Sequence, residues 1–179
     1  MVPTARCWSD GVALARALAA ALLIAASASG AAAQQQVIVV RHAEKADQSS
    51  DAALSPEGMA RAKALAELLR GAGVTHIITS EFQRTRETAA PLASALGLTA
   101  EQVPARDLPA LVARLKALDP AAIVLVVGHS NTIPPMLTVL GWPNTLDLHE
   151  GDYDDVFVLA PHAGQRASLV RLKYGQRTS

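Results

Sequence analysis

Short runs of β-branched and other apolar residues alternate along this chain with longer Ala/Leu-rich segments that carry scattered charges. The clearest runs are 37–40, 76–80 and 122–127, and the last is apolar at every position. Continuous apolar runs of this length are typical of strands buried on both faces. Strands that alternate with helices predict an α/β fold, here a three-layer α/β/α sandwich around a mostly parallel central sheet.

Local signals place helices between these strands. Ser55 followed by Pro56 is typical of a helix start, with serine as the N-cap and proline in the first turn. Ser80 and Gln83 have the spacing of a capping box, which predicts that a second helix begins near Glu81. The expected elements, in chain order, are strand 37–40, helix 56–70, strand 76–80, helix 81–96, a short extended piece at 103, helix 108–118, strand 122–127, helix 134–141, and strands 156–159 and 169–172.

The first 33 residues have the pattern of a secretory signal peptide. Arg6 and Arg16 precede the apolar stretch 17–26, and small residues with an A-x-A cleavage pattern follow at 31–33. The alternatives are a membrane anchor or a buried Ala-rich helix, but the apolar stretch is shorter than the roughly 20 residues that span a bilayer. We therefore expect a signal peptide at 1–33, a single domain at 34–179, a secreted or periplasmic protein and no stable membrane span after cleavage.

Composition narrows the chemistry of the expected domain. Cys7 is the only cysteine and lies in the leader, so the mature chain would have no thiol nucleophile, thiol ligand or disulfide. The full chain has 16 basic and 16 acidic residues, and removal of the leader leaves 14 and 15. This balance, without a basic tract, argues against a nucleic acid as the main partner.

Polar signatures follow three of the predicted strands. Arg41 and His42 come directly after strand 37–40, Arg84 lies early in the helix after strand 76–80, and His129 follows strand 122–127. Ligands of open α/β sheets bind beyond the carboxyl ends of the strands, so these side chains are expected to share one crevice. Each residue alone has an ordinary reading, as a surface histidine or a solvated arginine. Their common placement favours a site.

Two arginines, two histidines and nearby helix starts concentrate N–H donors in that crevice. Guanidinium groups match phosphate oxygens bidentately, and a helix N-terminus adds partial positive charge. The expected ligand is therefore a phosphoryl group, and an unprotonated imidazole beside it can attack phosphorus in line.

Four motifs in chain order resemble those of the histidine phosphatase superfamily, which includes the cofactor-dependent phosphoglycerate mutases. They are Arg41-His42-Ala43-Glu44, Leu54-Ser55-Pro56-Glu57-Gly58, the segment 80–89 with its Ser-x-x-x-Arg-Thr-x-x-Thr-Ala pattern, and Gly128-His129-Ser130. The resemblance implies a phosphoglycerate mutase-like fold and a phosphatase that forms phosphohistidine on His42. It also implies that Arg41, Arg84 and His129 hold the phosphoryl oxygens. We predict no cofactor and no metal ion.

Several carboxylates are candidates for the acid that protonates the leaving group. The family's acid follows the second arginine by about two dozen positions, where this chain has only Glu101 and Asp107; Asp152 and Asp154 are further candidates. Further candidate substrate contacts are Glu44, Lys45 and Asn131. The resemblance implies, by motif position, that Arg84 rather than Arg86 is the pocket arginine. Helix spacing agrees, because Arg84 shares a helix face with Thr88 and Arg86 does not. We expect Arg86 to pair with solvent or Glu87.

Three alternatives stay open from the sequence. A phosphomutase is disfavoured because the mature chain lacks long loops that would close over an intermediate. A phosphate-binding module without turnover would keep the cationic residues and lack only the acid. A metal-dependent hydrolase is disfavoured because the histidines lack compact ligand spacing. The substrate is expected to be a small phosphorylated compound or a phosphorylated envelope component, selected by loops 46–53, 98–108 and 141–155.

Overall fold

The computed structural model describes residues 35–162 and 165–178, so the expected signal peptide lies outside the described residues. The elements are β1 (Gln36–Arg41), α1 (Pro56–Leu69), β2 (His76–Thr79), α2 (Gln83–Leu96), β3 (Ala100–Gln102), α3 (Leu108–Lys116), β4 (Ile123–Gly128), α4 (Ile133–Val139), β5 (Asp155–His162) and β6 (Gln165–Lys173). In the part of the chain that these ranges cover, no helix has the length and apolarity to cross a membrane.

One six-stranded sheet organises the domain, in the order β3-β2-β4-β1-β5-β6. The first four strands of this order pair in parallel, and β5 and β6 add an antiparallel edge. The mostly parallel sheet expected from the alternation of strands and helices is therefore confirmed. The antiparallel edge forms because β5 follows a long connection and β6 follows β5 directly, as in a hairpin.

Helices cover both faces of the sheet. Strand side chains alternate between two buried clusters: Val37, Val39, Val124 and Val126 pack with α3 and α4, whereas Ile38, Val40, Leu125 and Val127 pack with α1 and α2. Both faces of the central strands are buried, which explains why their sequences are continuously apolar rather than alternating. The three-layer α/β/α sandwich is the observed architecture.

The helix ends agree with the sequence in α1 and differ in α2. Ser55 caps α1 by accepting a hydrogen bond from the Gly58 N–H, and Pro56 opens the helix, as predicted. The predicted capping box at Ser80 is wrong, because α2 begins at Gln83 after Phe82 and has no side-chain cap. The Ser80 hydroxyl lies instead 3.0 Å from Nε2 of His129. The extended piece expected at 103 is strand β3 at Ala100–Gln102.

Candidate active site

Strand register brings the predicted site residues to the same edge of the sheet. Arg41, the last residue of β1, pairs with Gly128, the last residue of β4. His42 and His129 therefore leave two neighbouring parallel strands at the same level, and the His42 N–H donates to the Gly128 carbonyl over 2.9 Å. Thr79 of β2 pairs with Val127 of β4, which brings the residues after β2 to the same edge.

The histidine pair (His42 and His129) forms the centre of the site. The two ring centroids lie 5.2 Å apart with an interplanar angle of 61°. The residues are only 4% and 7% exposed. Burial lowers the pKa of His42 to about 3, with further lowering by His129, Arg41 and Arg84. Burial also lowers the pKa of His129 to about 4, assisted by Arg84 and Arg41. Both rings are therefore neutral at physiological pH.

Hydrogen bonding selects the tautomer of His42. Its Nδ1 lies 2.8 Å from the Ala43 carbonyl oxygen, which can only accept a hydrogen bond. Nδ1 therefore carries the hydrogen, and Nε2 keeps the free lone pair. An imidazole in this state is a nucleophile that needs no prior loss of a proton.

The His129 ring is held in place by Ser80 and Arg84. Its Nε2 lies 3.0 Å from the Ser80 hydroxyl, and its Nδ1 lies 3.5 Å from Nη2 of Arg84. Because a guanidinium only donates, Nδ1 is the acceptor and Nε2–H donates to Ser80. The Phe82 ring meets His129 edge to face, with centroids 5.3 Å apart. Sequence reasoning missed Ser80 and Phe82 as site residues, since the serine fitted a helix cap equally well.

Each predicted arginine keeps part of its guanidinium unpaired. Arg41 donates through Nη1 to the carbonyls of His149 and Glu150, at 2.9 Å and 2.6 Å. Arg84 donates through Nη1 to the Ser50 carbonyl at 2.9 Å. Four buried side-chain polar atoms lack a partner within the described ranges, and two of them are Nε of Arg41 and Nε of Arg84. A buried N–H without a partner is costly, so these two groups indicate where an anionic ligand would bind.

Tyr153 completes the wall of the site next to Arg41. Its ring centroid lies 4.1 Å from the Arg41 guanidinium carbon and 6.0 Å from the His42 ring centroid. Its hydroxyl lies 3.4 Å from Nη2 of Arg41. The ring thus stacks on the cation and orients it. No local sequence pattern identifies Tyr153 as a site residue. It lies just before β5, and the antiparallel pairing of β5 with β1 places it next to Arg41.

Thr88 ties the loop that carries His42 to the helix that carries Arg84. Its buried hydroxyl accepts from the Ala43 N–H at 2.9 Å and donates to the Arg84 carbonyl at 2.7 Å. A single side chain therefore sets the distance between the nucleophile's loop and the cationic helix.

The start of α1 clamps the same loop from the other side. A Cβ atom on Gly58 would lie 2.3 Å from the Glu44 carbonyl oxygen, so only glycine allows this approach. The Ser55 N–H donates to that carbonyl at 2.9 Å. The buried Arg61 binds the Glu44 carboxylate through Nε, at 2.8 Å and 3.0 Å. Glu44 thereby holds the loop in place, a role that its motif position alone does not reveal.

Each predicted acid has a hydrogen-bond or ion-pair partner of its own. Glu101 lies on the edge strand β3 and pairs with Arg114 at 2.7 Å. Asp107 caps α3 through the Ala110 N–H at 3.0 Å. Asp152 accepts from the His149 N–H at 2.8 Å, and Asp154 binds Lys173 at 2.7 Å.

Glu81 is a carboxylate whose charge acts on two site residues, because it raises the pKa of both His129 and Arg84 against the larger lowering by burial. Asp51 also raises the pKa of Arg84, and the Glu150 carboxylate lies 3.8 Å from Nη2 of Arg41. Oε2 of Glu81 accepts from the Ala105 N–H at 2.7 Å, so the group is held in place from one side. Sequence reasoning missed Glu81, because it directly follows Ser80 rather than trailing the second arginine.

Three remaining predictions concern residues at the rim. Lys45 donates to Gln48 at 3.1 Å on the surface, and Asn131 is exposed beside a cavity described below. Arg86 donates to the Glu81 carbonyl in an exposed hydrogen bond, so its partner is not Glu87. Glu87 binds the Leu54 N–H instead, at 2.7 Å. Among residues 35–162 and 165–178, no three His, Cys, Asp or Glu side chains group as metal ligands would.

Comparison with known proteins gives matches in sequence and in structure. A sequence model of the histidine phosphatase superfamily (branch 1) matches residues 37–107. A Yersinia pestis protein named "Probable phosphoglycerate mutase GpmB" is 39% identical over 67 residues. That match covers 34% of this chain and 31% of the relative, so this chain spans about a third of the relative's length.

Two solved structures share the fold over most of this chain. The protein histidine phosphatase SixA, solved in complex with tungstate, matches this chain with a TM-score of 0.65 and 22% sequence identity. The matched region covers 77% of this chain and 96% of the SixA chain. A mycobacterial glucosyl-3-phosphoglycerate phosphatase has a TM-score of 0.64 at 18% identity, covering 79% and 99%. The fold is thus phosphoglycerate mutase-like. Three of the four motifs lie in the stretch 37–107 that matches the model of the histidine phosphatase superfamily. The fourth motif follows β4, at the edge of the sheet where His42 and His129 lie.

Proposed function

We propose that this protein is a metal-independent phosphatase that hydrolyses a phosphomonoester or a phosphoramidate through a phosphohistidine on His42. One observation carries the proposal. Two guanidinium groups, each with a buried Nε that lacks a partner, lie beside two neutral imidazole rings at the carboxyl ends of parallel strands.

A phosphoryl group satisfies what these residues lack. Its oxygens accept hydrogen bonds, so they can pair with the unpartnered N–H groups of Arg41 and Arg84. Two fixed cations in a buried site favour a dianion strongly, because the surroundings screen the charges less than water does. The solved structure of SixA contains tungstate, an oxyanion with the same tetrahedral shape as phosphate.

The first chemical step uses the free lone pair of His42. Nε2 attacks phosphorus, the N–P bond forms, and the bond between phosphorus and the leaving oxygen breaks with its electron pair going to that oxygen. The guanidinium groups stabilise the charge that builds up on the other phosphoryl oxygens. The Ala43 carbonyl keeps Nδ1–H fixed and so prevents the ring from turning away.

The second step returns the enzyme to its starting state. Water attacks the phosphorus of the phosphohistidine, the N–P bond breaks, and its electron pair returns to Nε2. Inorganic phosphate leaves after the water has lost one proton to a base. His129 keeps its pKa near 4 in the free enzyme, so it enters the cycle as a neutral ring.

The leaving oxygen of an alkyl phosphate requires a proton, and we assign this task to Glu81. Its charge acts on both His129 and Arg84, and it directly follows Ser80, whose hydroxyl lies 3.0 Å from Nε2 of His129. Glu81→Gln should therefore reduce the hydrolysis of an alkyl phosphate far more than that of an aryl phosphate, whose leaving group needs no proton. Equal losses for both substrates would overturn this assignment.

The N-terminal pattern bears on the class of substrate. A small phosphorylated compound, or a phosphorylated component of the cell envelope, fits a protein whose first 33 residues have the pattern of an export signal. We propose the periplasm or the exterior as its location. Fractionation with N-terminal sequencing of the mature protein tests this, and a mature protein in the cytoplasm that keeps residues 1–33 would contradict it.

A turnover screen tests the phosphatase proposal. The protein is incubated with phosphomonoesters and a phosphoramidate, with and without a chelator, beside His42→Ala. The proposal predicts turnover that survives the chelator and is absent in His42→Ala, while the variant still binds phosphate by calorimetry. Phosphate binding without turnover in the wild type would favour a phosphate-binding module. Activity that is lost with the chelator and restored by zinc would favour a metal-dependent hydrolase.

A further inference from the structure

An apolar cavity of about 260 Å³ opens beside His129, between the sheet and helices α3 and α4. Its walls are aliphatic side chains from both sides of this space: Ile78, Val103, Leu108, Leu111, Val126 and Met136. His129 and Ser80 line the end that reaches the site, and the exposed residues Arg106, Asp107 and Asn131 line the rim.

The size and lining of this cavity distinguish it from an ordinary packing defect. Protein interiors have few voids larger than a water molecule, whereas an engineered apolar cavity of about 150 Å³ binds benzene. The cavity here is larger, and its apolar walls offer few hydrogen bonds to water. Burial of an apolar group in such a space releases its hydration water and is favourable.

We propose that this cavity binds the organic part of the substrate, and that the substrate is a phosphomonoester with an apolar body of one or two rings or an equivalent aliphatic chain. The inference rests on the proposed function, because the phosphoryl group must lie beside the histidine pair for the organic part to enter here. Ser80 and His129 form the boundary between the polar site and the apolar cavity, and their mutual hydrogen bond of 3.0 Å keeps this boundary ordered.

The geometry also separates this cavity from the polar cleft on the other side of the site. That cleft is lined by charged and polar residues such as Glu44, Lys45 and Arg177 together with Tyr153, which favours water and polar groups. Binding an apolar group in that cleft would bury little apolar surface and so would contribute little binding free energy. The two openings therefore give the site one side suited to the organic part and one side suited to water.

Filling the cavity tests the proposal. Leu108→Trp places a large ring in the cavity wall, and Leu118→Trp is the matched control, because Leu118 packs on the same core without lining the cavity. The substrates are 1-naphthyl phosphate, which has an apolar body, and acetyl phosphate, which has almost none. Leu108→Trp should raise KM for 1-naphthyl phosphate at least tenfold and change kcat/KM for acetyl phosphate less than threefold. Leu118→Trp should change neither value by more than threefold.

The outcomes separate the two proposals. Suppose that the wild type hydrolyses acetyl phosphate but Leu108→Trp and Leu118→Trp have similar KM values for 1-naphthyl phosphate. The cavity proposal is then overturned, whereas the phosphatase proposal is not. If the wild type hydrolyses neither compound, and no other phosphomonoester or phosphoramidate, both proposals fail. If circular dichroism shows that Leu108→Trp does not fold, Asn131→Trp at the rim of the cavity takes its place. The same tenfold rise in KM for 1-naphthyl phosphate is expected. Competitive inhibition of acetyl phosphate hydrolysis by 1-naphthol in the wild type is a second expected result, and its absence counts against the cavity.

Discussion

Replacement of Thr88 by valine removes the hydroxyl that joins the His42 loop to helix α2 while keeping the shape of the side chain. Two hydrogen bonds are lost, one from the Ala43 N–H and one to the Arg84 carbonyl. The carbonyl keeps a partner, because within α2 it also accepts the backbone N–H four residues later. The Ala43 N–H has no such second partner and is left buried.

The magnitude follows from that single unpaired donor. A buried N–H that loses its partner costs roughly 1–3 kcal/mol of unfolding free energy. In a domain of this size 1 kcal/mol changes Tm by about 3 °C, so Tm should fall by about 3–9 °C. The loop that carries His42 and Ala43 also loses its link to the Arg84 carbonyl. We expect kcat to fall by about tenfold, because positioning of the nucleophile is sensitive to small shifts.

Thermal melts and steady-state kinetics measure both effects, with Thr88→Ser as the control. The serine keeps the hydroxyl and loses one methyl group, so it should cost about 1 kcal/mol through packing alone and leave kcat close to the wild-type value. If Thr88→Val melts within 1 °C of the wild type, or if Thr88→Ser loses as much kcat as Thr88→Val, the proposed link between the loop and the helix is refuted.

Three further predictions concern other contacts of the site. Gly58→Ala places a Cβ against a carbonyl 2.3 Å away and should lower Tm by several degrees, through an overpacking cost of about 1–3 kcal/mol, whereas Gly71→Ala, with no atom within 4 Å of its Cβ, should leave Tm within about 1 °C. The histidine pair should make the protein less stable as pH falls from 6.5, because unfolded imidazoles bind protons there and the native rings, with pKa values of about 3 and 4, do not. At pH 5 this amounts to about 2 kcal/mol per ring, which urea denaturation at a series of pH values measures, and a double His→Gln variant with an equally steep decline would contradict it. Arg84→Ala should reduce kcat/KM by about 10²-fold or more, while Arg86→Ala should change it less than threefold; similar losses would contradict the assignment of the pocket arginine.

Much of this site could be predicted because its parts follow from local rules. The β-branched runs mark buried strands, and parallel strands end at the same edge, so Arg41, His42 and His129 had to converge once the strands were recognised. The N-cap at Ser55 is equally local, since it needs only a serine followed by proline.

Other parts depend on contacts that no local pattern contains. Ser80 satisfies the capping-box spacing, but its hydroxyl bonds to His129 because β2 and β4 lie side by side. Tyr153 reaches Arg41 only because β5 joins the sheet next to β1 in the antiparallel sense. Glu44 resembles a surface residue until the buried Arg61 is seen to bind it.

The most direct test of the account is to trap the intermediate on His42. The protein is mixed with a ³²P-labelled substrate, quenched rapidly in base and digested, and the labelled peptide is sequenced. We expect a label on the peptide that contains His42, and we expect it to survive base and to be lost in acid, as an N–P bond requires. We expect no label in His42→Ala. Turnover without any such label, or a label that persists in His42→Ala, would contradict the account.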